Sequence, residues 1–153
     1  MGLTTKGICT QIIGSIGIFR AHPEMQSEND CLVVLNHLIR KFSEPAMKEG
    51  LMKPVRSVRV TGDCKFKREH VVPVKVVMNK LLHWPDTTIS AANVNKLEQF
   101  LLDQLLVVHI TPEEDACLNR AGFQQKMPSD WDGVDRFARY KAAGIYENID
   151  HGR

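Results

Sequence analysis

The segment KREH (67–70) sets a carboxylate beside an imidazole, and ITPEED (110–115) later places three carboxylates in a row. A neutral imidazole is the side chain best suited to take a proton from water near neutral pH. Carboxylates hold the hard divalent cations that offset charge on a phosphodiester. His70 is therefore a candidate general base, and Glu69 and Asp115 are candidate ligands for Mg²⁺ or Mn²⁺. Asn119 lies four residues beyond Asp115, on the same face of a helix, and offers a further oxygen, as does Glu114. A plainer account competes with this one. Acids in the first turn of a helix suit its dipole, and a Glu-His pair at a strand end is often an ordinary surface pair.

The elements around these residues decide whether they can meet. In SVRVTGDCKFKRE, Val58 and Val60 alternate with polar residues, as do Cys64 and Phe66, and Gly62-Asp63 fits a two-residue turn. A β-hairpin leading into Glu69-His70 is expected, with Arg59, Lys65 and Lys67 on its outer face. LLVVHI (105–110) reads as a buried strand, and His109 within it as a core or rim histidine. TPEEDACLNRAG then reads as a capped helix, with Thr111 at the N-cap, Pro112 in its first position and Gly122 at its stop. Between the two strands the pattern predicts helices over about 73–83 and from Thr88 or Ser90 onward.

This order of strand, acid-histidine, second strand and acid-led helix resembles the ββα-metal core of the HNH (His-Me finger) endonucleases, over residues 64–120. The resemblance implies that His70 activates water for phosphodiester hydrolysis and that Glu69 binds a divalent metal ion. It also implies a further ligand from the helix, at Asp115, where that family usually carries a histidine or asparagine. The family's middle asparagine, which orients its histidine, has Asn93 or Asn95 as its nearest candidate here.

Charge points to the partner. The 153 residues carry a net charge of only +2, yet residues 48–80 hold nine Lys/Arg against three acids, and residues 84–135 hold three against nine. A basic segment neutralises phosphates, so Arg59, Lys65, Lys67 and Arg68 are expected to contact nucleic acid. Arg136 and Arg139, on one face of a last short helix beside Tyr140, would clamp a phosphate or pair with Asp132 or Asp135. A non-catalytic module that binds nucleic acid or protein through the basic hairpin 56–69 is the alternative to a nuclease.

The remaining sequence sets the frame. Ile8, Ile12, Ile16 and Phe19 fall on one helical face, and Ser27 with Asp30 caps a second helix bearing Leu32, Leu35, Leu38, Ile39 and Phe42. A separate short helical piece is expected over 44–51. Cys9, Cys31, Cys64 and Cys117 lie far apart without a C-x-x-C pair, which fits reduced thiols in a cytoplasmic protein rather than a zinc site. No apolar run reaches the roughly 20 residues that span a bilayer, so no membrane partner is expected. The expected fold is α+β: one mostly helical domain with a small antiparallel sheet. Residues 1–53 form its helical N-terminal part, 55–122 a core with helical insertion 71–104, and 123–153 a C-terminal loop and helix ending in a frayed tail.

Overall fold

The computed structural model describes residues 2–152. The fold is α+β, largely helical with a four-stranded sheet, as the periodicities imply. The chain forms two compact units, neither continuous in sequence. One takes in the chain up to Met52 together with Val77–Asp103, and the other takes in Lys53–Val76 and Gln104 onward. The helices between the two strands thus group with the N-terminal helices rather than with the sheet.

In the helical unit, α1 (Thr5–Ala21) packs along α2 (Glu28–Lys48). Ile8, Ile12, Ile13 and Ile16 are wholly buried on α1, matched on α2 by Leu35, Ile39 and Phe42. Ser27 caps α2 in a reciprocal box with Asp30, which satisfies two otherwise unpaired amides. The separate piece expected at 44–51 does not form, because α2 continues through Pro45 to Lys48. Proline deletes one hydrogen bond to the preceding turn. The buried stripe of α2 runs on through Ala46, and that packing outweighs the loss. α3 (Val74–Leu82) carries the chain into this unit, and α4 (Ala91–Gln104) carries it out.

In the sheet unit, β1 (Val55–Ser57), β2 (Lys67–His70), β3 (Val107–Ile110) and β4 (Ile149–Asp150) lie in the order β2-β3-β1-β4. The sheet is mixed, not antiparallel: β1 runs parallel to β3, while β2–β3 and β1–β4 are antiparallel. The expected hairpin is absent, since β3 lies between β1 and β2. The reason is the apolar run Val107-Val108-His109-Ile110, which takes a strand on each side and so becomes the buried centre. The segment after β1 turns instead, with bonds from the Val60 amide to the Ser57 carbonyl and from the Cys64 amide to that of Thr61. Nor is the tail frayed over residues 146–150. Tyr146–Asn148 forms a 3-10 turn and β4 completes the sheet edge.

β3 passes directly into α5 (Pro112–Arg120), capped by Thr111 as expected. The last helix, α6, is shorter than its sequence pattern, spanning only Ala138–Ala142. No helix of the described residues is long and apolar enough to cross a membrane.

Candidate functional site

Register assigns each strand side chain to a face, because successive residues alternate and paired residues share a side. One face carries Lys67, Glu69, Val108, Ile110, Ser57 and Ile149. Side chains of α5 and α6 meet it. Lys67 Nζ donates to Asp115 Oδ2 at 2.7 Å, and Arg139 Nη2 to Glu69 Oε2 at 3.1 Å.

The acids expected to hold a metal are therefore each committed to a cation of the chain. Asp115 is buried beneath the Lys67 ammonium. Glu69 faces Arg139, which is only 1% exposed. Arg139 also donates from Nε to the Val71 carbonyl at 3.1 Å, from Nη1 to that of Phe123 at 2.9 Å, and from Nη2 to that of His70. That set of bonds corrects the phosphate-clamp expectation for Arg139: a guanidinium wholly enclosed by the chain presents no donor to a ligand. Arg136 lies with its guanidinium 5.5 Å from the centre of the Phe137 ring.

Glu114 serves the fold. Its Oε1 accepts from the Thr111 amide at 3.0 Å, and its Oε2 from Ser57 Oγ at 2.9 Å and Asn148 Nδ2 at 3.0 Å. Burial raises this carboxyl, but the bonds from Thr111, Asn148 and Ser57 more than offset it and hold Glu114 below the usual carboxylate range. One carboxylate thus ties α5, β1 and the C-terminal segment together. Asn119 is exposed one turn after Asp115.

His70 ends β2 half-buried, with Nδ1 3.2 Å from the Leu105 carbonyl oxygen. Asn93 is occupied in the helical unit: Oδ1 accepts from Trp84 Nε1 at 3.1 Å, and Nδ2 donates to the carbonyls of Asp86 and Thr88. Asn95 accepts from Lys6 Nζ. Among the described residues, no three His, Cys, Asp or Glu side chains gather as a metal-holding group. With Glu69 and Asp115 both engaged, this donor set does not fit a resident divalent cation.

The opposite face of the sheet is different in kind. Arg68, His109, Arg56 and Asp150 stand in register across all four strands, in that order. Both arginines are exposed. Phe66, just before β2, lays its ring 4.6 Å from that of His109 at a tilt of 31°, and is 44% exposed. Burial first, then the charges of Arg68 and Arg56, push the His109 imidazole below its ordinary value, which favours its neutral form. The Asp150 carboxylate ends the row at β4, where it accepts from the Gly152 amide.

Arg68 was legible as basic, but Phe66, His109 and Arg56 were not legible as a group. In a hairpin, alternation turns Phe66 inward. Only the pairing of β1 and β2 on either side of β3 brings these residues together. No family model matches the chain, and no significant similarity links it to a curated protein or a solved structure.

Proposed function

We propose that the protein is a non-catalytic nucleic-acid-binding module whose contact surface is the open sheet face. The observation that carries this reading is the Arg68–His109–Arg56 row, two exposed cations flanking a ring that Phe66 packs against, with α5 and α6 bonded to the other face. Guanidinium groups recognise phosphate in a planar, bidentate way. Arg59 and Lys65, both exposed in the turn before Phe66, extend the positive charge along the same segment. The four free cysteines are in keeping with a reducing, cytoplasmic setting.

The test is fluorescence-anisotropy titration of a labelled oligonucleotide across a salt series, with wild type and Arg56→Ala/Arg68→Ala. Binding is expected to weaken with salt, and the double variant to flatten the log–log slope by roughly 1.4 to 1.8 as two phosphate contacts disappear. A slope unchanged by the double variant would place the contact elsewhere on the chain.

One observation favours a second reading, phosphodiester hydrolysis. His70 sits at a strand end with Nδ1 directed at a backbone carbonyl oxygen, an arrangement that fixes an imidazole for proton transfer. Incubation of plasmid DNA and structured RNA with Mg²⁺, Mn²⁺ or EDTA separates the two. Metal-dependent cleavage that disappears in His70→Ala would replace the binding reading with the hydrolytic one.

A further inference from the structure

Resting on the nucleic-acid reading above, we infer that the open sheet face takes single-stranded rather than duplex nucleic acid, with a base stacked on Phe66. The argument begins with the shape of the surface. Side chains that read a duplex are usually carried into a groove by a helix or a two-stranded ribbon. Here the cations stand on the face of a four-stranded sheet, and α5 and α6 lie against its other side.

The second step concerns the aromatic group. A phenylalanine that is 44% exposed at the edge of a sheet leaves apolar surface in water. His109 supports it with ring centres 4.6 Å apart, and burial favours the neutral form of that imidazole. The pair therefore offers a braced ring face. Such a face recognises the π surface of a base, which is accessible only when the base is unpaired.

The third step is spacing. Arg68 and Arg56 stand on β2 and β1, with β3 between them, so their backbones are roughly 9–10 Å apart. Phosphates on either side of a splayed base would each meet a guanidinium, with His109 between the two and Phe66 packed against its ring. Phenylalanine has no hydrogen-bonding group, so the stacking is tolerant of base identity.

The experiment compares one fluorescein-labelled oligonucleotide, single-stranded and annealed to its complement, against wild type, Phe66→Ala and Phe66→Trp. Circular dichroism serves as the check that each variant folds. The single strand is expected to bind more tightly than the duplex. Phe66→Ala should weaken single-strand binding roughly 5- to 150-fold while changing duplex binding little, and Phe66→Trp should retain the single-strand affinity. Equal binding of the two forms, with Phe66→Ala without effect on either, would overturn the single-strand inference and leave the basic face standing as a phosphate-binding surface. Absence of binding to both forms would overturn the nucleic-acid reading and this inference with it.

Discussion

Arg139 is the residue on which the sheet unit's covered face turns, and its replacement by methionine has a calculable effect. The guanidinium is 1% exposed and spends its donors on Glu69 and on the carbonyls of His70, Val71 and Phe123. Methionine fills similar volume but donates nothing. Three carbonyl groups and a partly buried carboxylate would then lack their partner. Breaking a buried ion pair by deleting one member costs about 3–5 kcal/mol, against a total stability of about 5–15 kcal/mol for an ordinary protein. With a urea slope of about 2 kcal/mol/M, the unfolding midpoint of Arg139→Met should fall by roughly 2 M. The measurement is urea titration followed by circular dichroism and tryptophan fluorescence. Adding Glu69→Gln should return part of the loss, because the uncompensated charge is then gone. A midpoint shift below roughly 0.5 M, together with weakened oligonucleotide binding, would refute the assignment. Arg139 would then be a ligand contact and not a brace.

Two further expectations address separate parts of the chain. Glu114 is held below its ordinary value of 4.5, so its contribution is present above that pH and is lost as the pH falls through the lower value of the folded state. Wild type should therefore lose stability on acidification below pH 4.5 more steeply than Glu114→Gln, which should itself be about 1–2 kcal/mol less stable at pH 7; parallel acid-unfolding curves would remove Glu114 from its tethering role. Asn93 holds Trp84 and the two carbonyls of the bend that follows it. Asn93→Ala should cost about 2–4 kcal/mol and alter the near-ultraviolet circular dichroism of Trp84, while an unchanged spectrum would show that the bend is held by other contacts.

The sequence by itself determined the elements whose signals are local. The α5 start was readable because Thr111, Pro112 and Glu114 each satisfy a requirement of a helix N-terminus that neighbouring residues alone impose. The Ser27–Asp30 box was readable for the same reason, as was the buried VVHI strand from its apolar run. Periodicity also gave the α+β class.

Tertiary structure decided which strand lies beside which, and that choice controls the site. A hairpin between 58 and 67 satisfied every local rule. It lost because β3 buries both edges of its apolar run only when β1 and β2 flank it, a long-range gain that no turn signal encodes. The same partnership assigned the charges. Glu69 and Asp115 read in sequence as free metal ligands, yet Lys67 and Arg139 reach them from β2 and α6. A carboxylate's partner lies across space rather than along the chain, so its identity as ligand or ion-pair member is a property of the fold. Phe66, His109, Arg56 and Arg68 become one surface for that reason too: strand order and register bring four separate positions onto a single open face.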